Sequence, residues 1–396
     1  MTDKWLRREG SVWVEKNIIS PEQLEEIIKL YPESPRRISQ LLPILASVLI
    51  GLSLLTFVAS NWNGIPDIAR LILLIATTVG FYATGFVRGQ ISWVGQGLIG
   101  LGVVSFGASV ILIGQMFHLI AYDATVFVLW SLAALGTLYL FRRTFFYLLS
   151  SALLLGGQIY SIASFDHVSW LLFILTILGL GIYSYHTKHE YAGWILSFSI
   201  GIQSIFLLIT SDMAWSWITL IFFFLYVVGL ALGKRPMAQG FLAWPAIFSF
   251  IFTVFMVFLH EHIYQESAFL ANPFLYLPLF SILVFLAIWL SRGLKAKWLP
   301  MLLFLPLFFF TYADLAYLVI LFVYSSGLIF LGDQEGNSSV SKLGVFLFML
   351  SSFIGYVQLA WDFLDKSIFF LIGGLLLFGI HWFLRRRSQW MTKGEK

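Results

Sequence analysis

From Ile38 onward the chain alternates between long apolar blocks and short polar turns. Each block is about 18 to 24 residues, enough to cross roughly 30 Å of hydrocarbon at about 1.5 Å per residue. The pattern predicts membrane-spanning helices near 38–60, 67–87, 91–114, 124–141, 144–163, 168–186, 191–210, 214–232, 238–259, 272–291, 298–313, 314–332, 341–360 and 366–384, about fourteen in all. Only Tyr312-Ala313-Asp314 separates the spans 298–313 and 314–332, so a re-entrant hairpin competes there. Connections are mostly short, which makes consecutive helices antiparallel neighbours.

Residues 1–37 have a different pattern. Ser20-Pro21-Glu22-Gln23 predicts a helix start, with Ser as N-cap, Pro at the first helical position and Gln three residues past the cap. Leu24, Ile27, Ile28 and Tyr31 then share one face, and Pro32 ends the helix. Trp5, Leu6, Val12, Trp13 and Val14 suggest a shorter amphipathic helix upstream. The pair is too small to hold a core alone. It is expected to pack on itself at the membrane surface, the alternative being a docking module for a cytosolic partner.

Composition supports the membrane reading. The 396 residues are 59% hydrophobic and 11% charged, against about 25% charged in soluble domains. With no cysteine, disulfides, thiolate catalysis and Cys-ligated metal are excluded. The first apolar run begins behind a charged leader and is read as an uncleaved span, not a secretory signal. With the N-terminus inside, all but Arg70 and Lys366 of the 24 Lys and Arg residues fall in cytoplasmic segments. That bias places both termini in the cytoplasm. It also accounts for the net charge of +4 without a nucleic-acid partner.

One motif occurs twice. Gly114–Asp123 and Gly157–Asp166 both read Gly-Gln-aliphatic-aromatic and end in aromatic-Asp, with Gln115 and Gln158 43 residues apart. A looser third copy is Gly201-Ile202-Gln203. The spacing suggests tandem helix hairpins in the first half of an all-α polytopic membrane bundle. Three regions follow: a leader (1–37), a hairpin-repeat membrane region (38–210) and a C-terminal membrane region with a basic tail (211–396).

The polar residues have a plain and a sharper reading. Asp67, Asp123, Asp166, Asp212, Asp314, Asp362 and Glu261 occupy the predicted outer turns. Hydrated helix caps explain them, and an acidic vestibule for cations is the sharper reading. Gln115 and Gln158 lie about two turns below the outer surface. They are interhelical glue or the lining of an outward polar cavity. Arg70 pairs locally with Asp67 or receives an anionic ligand group. Asn61 sits in the Asn61-Trp62-Asn63-Gly64 turn beside that pair. His118, replaced by Ser161 in the second copy, is the residue of the motif that does not repeat. The candidate cavity or ligand residues are thus Asn61, Asp67, Arg70, Gln115, His118, Asp123, Gln158 and Asp166. His118, His260 and His262 have no metal-site spacing. No phosphate loop, His-Glu-x-x-His helix or serine elbow is present, so no catalytic residue or cofactor is assigned.

Asn61-Trp62 with Ile65-Pro66, the Gly114–Asp123 motif, and Gly10 followed by Ile19-Ser20-Pro21-Glu22 resemble a family of predicted bacterial membrane proteins, domain of unknown function 2157. Its core is expected to cover about the first 190 residues. The resemblance implies a bacterial cytoplasmic membrane protein and carries no activity. Three functions remain in contention. The first is a transporter or flippase-like protein for an amphipathic solute. The second is a non-catalytic scaffold for a membrane or envelope protein partner. The third is an intramembrane transferase acting on a lipid-linked substrate. The bilayer is a partner in each.

Overall fold

The computed structural model describes residues 3–16, 18–30, 45–46, 49–50, 53, 56, 65–89, 92–118, 122–211, 213–264, 269–291, 298–311, 313–360, 371, 374–375 and 378. The expected spans 38–60 and 366–384 lie essentially outside them, as do Asn61, Asp212 and Asp362. The regular secondary structure of the described residues is all helical, with no strand. Helices α1 (Asp3–Glu15) and α2 (Pro21–Leu30) precede the apolar helices. Those are α3 (Asp67–Val87), α4 (Trp93–Met116), α5 (Thr125–Phe141), α6 (Thr144–Phe165), α7 (Trp170–His186), α8 (Glu190–Ile209), α9 (Trp217–Leu232), α10 (Ala238–Tyr264) and α11 (Pro273–Leu290). After two 3-10 turns come α12 (Ala313–Gln334) and α13 (Ser338–Ala360). Eight of these helices are long and apolar enough to cross a membrane. The helices α5, α7 and α9 are apolar but shorter, at 10–17 residues. The chain is a polytopic helical membrane protein.

It forms two compact units, residues 1–121 with 132–149, and residues 122–131 with 150–396. In the first, the leader folds as its sequence predicts. Ser20 Oγ accepts from the Gln23 N–H at 3.2 Å, and Gln23 Oε1 accepts from the Ser20 N–H at 2.9 Å. This reciprocal box satisfies two orphan donors at the start of α2. Gly10 on α1 faces the Leu24 side chain on α2, so the pair packs on itself. Beyond it, α3 and α4 form a tight hairpin. Thr78 bonds Ser105 at 3.0 Å, and an added Cβ on Gly85 would meet Ile99 at 2.7 Å. Small residues let these two backbones approach closely.

In the second unit α10 is central and packs against α8, α9 and α12. A Cβ on Gly193 of α8 would lie 2.2 Å from the Met237 carbonyl, and one on Gly240 of α10 would lie 2.3 Å from Gly193 itself. Only glycine at both positions permits this crossing. In α7, one turn over Thr176–Leu180 is π-helical. The Thr176 hydroxyl there donates to the Leu172 carbonyl at 2.9 Å and accepts from Gln203 Nε2 at 2.9 Å.

The segment 298–313, expected as an α-helical span or half a re-entrant hairpin, is not α-helical. It consists of the 3-10 turns Leu299–Phe304 and Leu307–Phe309 around Leu305 and Pro306. Leu299 packs on Gly327, about two thirds of the way along α12, while Phe310 lies three residues before α12 begins. His260 donates from Nε2 to the Phe310 carbonyl at 2.9 Å, since a carbonyl can only accept. The segment therefore runs antiparallel to α12 as a broken span. Leu299, Leu303, Phe304 and Phe308 are buried in protein, the condition under which irregular backbone is tolerated at membrane depth. Two physical causes are legible here. Pro300 and Pro306 interrupt the backbone donors, and the tighter 3-10 turn carries the short segment along the helix with a longer rise per residue.

Candidate functional site

Most candidates from the sequence occupy helix ends. Arg70 binds Asp67 at 3.1 Å across i, i+3, with Asp67 exposed and Arg70 half-buried. Gln115 and His118 are exposed, and α4 ends at Met116, one residue past Gln115. Asp123 Oδ1 accepts from the backbone N–H of Thr125 at 2.9 Å and from its hydroxyl. The Thr125 hydroxyl, then its N–H, hold the Asp123 carboxyl below its ordinary range, with a smaller pull from His167. Asp166 is exposed with φ of +58° and follows α6 directly.

Gln158 is fully buried, seven residues before α6 ends. Its Oε1 accepts from the Ser169 N–H at 3.2 Å, and Ser161 donates to the His167 carbonyl at 2.8 Å. The two side chains bind α6 to the turn that starts α7. Gln203 does comparable work between α8 and α7. The two motif copies therefore sit in different local structure: Gln115 at an exposed helix end, Gln158 inside a helix contact. Arg70, Asp67, Gln115 and His118 belong to the first unit, and Asp123, Gln158 and Asp166 to the second. Among the described residues no three His, Asp or Glu side chains are grouped to hold a metal.

A larger feature was not singled out by the sequence. A groove of about 530 Å³ opens in the second unit, lined from residues 194 to 347. Its long wall is α10, through Gln239, Ala243, Ala246, Ile247 and Ile251. Tyr226 of α9 and Tyr324 of α12 are buried at its depth, and Pro300 of the broken span adds a wall. Leu343 and Leu347 of α13 form the far side. Helices α10 and α13 both pack on α12, and the groove opens between them. Ile247, Ile251 and Leu343 are exposed along that opening.

Backbone contacts shape the groove. The Gly193–Gly240 crossing sets the corner where Trp194 and Gln239 meet it. Pro245 inside α10 has no N–H for the Phe241 carbonyl. Small Ala243 and Ala246 flank it on the groove side, leaving the volume that longer side chains would fill. The groove runs from the basic ends of its helices toward their middles. Gln239 follows Lys234 and Arg235, and Leu343 follows Lys342. Arg235 stacks on Tyr185, 3.6 Å from the ring centroid, and bonds its hydroxyl. A volume of this size with apolar walls and a few polar groups fits one small ligand.

The signal for the groove was present but weak. Gln239, Ala243 and Ala246 recur at helical spacing, yet such small residues equally suit helix packing. The wall from α13 is about a hundred residues away in sequence, beyond any local pattern.

No curated protein and no solved structure matches the chain. The Ile19–Glu22 motif of the leader and the motif near Gly114 belong to a segment that does match a family, while Gly10 lies just before it. That match ends at Tyr147, short of the expected limit near residue 190, and so excludes the second motif copy and the groove. Over residues 11–147 the chain matches the family of predicted membrane proteins described as DUF2157.

Proposed function

We propose that the protein is a transporter or flippase-like protein of the bacterial cytoplasmic membrane that handles an amphipathic molecule. The observation that supports this reading is the lateral groove of about 530 Å³ beside a broken span. Discontinuous spans commonly form the substrate sites of membrane carriers, because irregular backbone there lines a cavity. The charge bias along the sequence supports cytoplasmic termini. With that orientation the groove opens in the cytoplasmic half of the membrane, not in the outer half where the sequence suggested a cavity. The acid-bearing turns then face outward as hydrated caps.

Reconstitution tests the reading. Vesicles carry a fluorescently labelled phospholipid in both leaflets, and dithionite bleaches the accessible label. In protein-free vesicles bleaching stops at the outer leaflet. Vesicles holding the full chain are expected to bleach to completion, and the Ala243→Phe variant to stop early. Bleaching that stops at the outer leaflet with the wild-type chain overturns the proposal.

A further inference from the structure

We propose that the groove between α10 and α13 seats one anionic phospholipid of the cytoplasmic leaflet, with its phosphate near Gln239 and Lys342 and one acyl chain along Ile247, Ile251 and Leu347. The inference rests on the groove being the ligand site and on the orientation given above.

Three observations carry it. First, the groove opens sideways through exposed Ile247, Ile251 and Leu343, so a chain enters from the bilayer without crossing water. Second, its walls are mostly apolar, with the Tyr226 and Tyr324 rings at depth, while the exposed amide of Gln239 stands at the end of α10 that bears the basic residues. A Gln amide donates to a phosphate oxygen. Third, charge at that end favours an anion. Lys342 is exposed next to Leu343, Lys234 is exposed before α10, and Arg235 is stacked on Tyr185. Lys188, exposed two residues before α8 begins, adds a fourth basic group. Glu190, Asp333 and Glu335 oppose them, and Asp333 already accepts from Ser341 Oγ at 2.6 Å. The balance remains basic. Trp194 lines the same end, at the depth where Trp rings settle beside headgroups. The volume of the groove suits one chain, and the second chain stays in the bilayer.

The full-length chain, purified in mild detergent and delipidated, is titrated with dioleoylphosphatidylglycerol or dioleoylphosphatidylcholine and read by native mass spectrometry. One phosphatidylglycerol is expected to stay bound, about fivefold or more tighter than phosphatidylcholine, as one basic residue at an anionic surface provides. The paired change Ala243→Phe and Ile247→Trp fills the groove and is expected to abolish retention. Because that variant can lose its fold, Lys342→Glu with Gln239→Glu serves as a second. Both residues are exposed, and the variant is expected to keep lipid while losing the preference for phosphatidylglycerol. Equal retention of the two lipids by the wild type overturns the inference, as does an unchanged preference in the charge variant. A chain that retains phosphatidylglycerol without moving labelled lipid overturns the transport reading alone. A chain that moves lipid but retains no phosphatidylglycerol overturns this inference alone.

Discussion

Phe308 donates its backbone N–H to the Tyr317 hydroxyl at 3.1 Å, with both residues buried. The bond ties the broken span to the first turns of α12. A helix would have satisfied that donor from its own backbone, and here a side chain replaces it. Tyr317→Phe keeps the ring and leaves the N–H unpaired. An unsatisfied buried donor costs about 1–3 kcal/mol. Unfolding of the purified protein by denaturing detergent is expected to show a loss of that size. A variant as stable as wild type would show that the bond does not fix the span.

Gly193 and Gly240 form the closest backbone approach bordering the groove. Gly193→Ala puts a methyl group against the Met237 backbone, which cannot rotate away as a side chain would. Overpacking of this kind costs about 1–3 kcal/mol. A lower melting temperature is expected, together with weaker lipid retention, because Trp194 and Gln239 move with the crossing. Gly136→Ala, with open space around its Cβ position, is the matched control and is expected to melt as wild type.

The Asp123 carboxyl titrates below its ordinary value of 3.8, chiefly because the Thr125 hydroxyl bonds its charged form. A depressed folded-state pKa contributes stability that is fully present above the ordinary value. It is lost as pH falls through the folded-state pKa. The Thr125→Val variant removes the hydroxyl bond and keeps the backbone one. Carbon-13 titration of the Asp side chains is expected to show the Asp123 midpoint moving up toward 3.8. A midpoint that stays in place would assign the shift elsewhere.

The chain has no cysteine, so single substitutions report orientation directly. Tyr122 and Glu335 are exposed, Tyr122 beside Asp123 and Glu335 in the turn between α12 and α13, and the proposed orientation puts these two turns on opposite sides of the membrane. An impermeant maleimide applied to intact cells is expected to label Tyr122→Cys and to spare Glu335→Cys until the cells are opened. The reverse pattern inverts the proposed orientation.

Much of the fold is legible residue by residue. Asp67–Val87 matches the expected span at both ends, because Pro66 and Arg88 bracket an apolar run whose charges, Asp67 and Arg70, both sit at its start. The capping box at Ser20 and Gln23 is set by side chains three residues apart, and local sequence determines it. The π turn at Thr176 was not legible, because nothing in Thr176–Leu180 departs from an ordinary apolar helix. Its partner is Gln203, 27 residues on. The unwinding of 299–310 was only half legible. The three-residue separator Tyr312-Ala313-Asp314 marked the pair of spans as weak, but the protection that lets the segment stay unwound comes from α10 and α12. The repeated Gly-Gln motif misdirected attention to helix ends, while the groove depends on small residues and long-range packing.

The broken span also constrains how the protein is made. Residues 299–310 lack the complete internal pairing that lets a segment rest alone in lipid. Their supports include His260, already synthesised, and Tyr317, not yet synthesised when the segment leaves the ribosome. The segment reaches its final conformation only after α12 has followed it into the bilayer. Truncation just after Phe310 should therefore leave a nascent chain whose last segment is held by insertion factors or removed by proteases. Extension through α12 should release it.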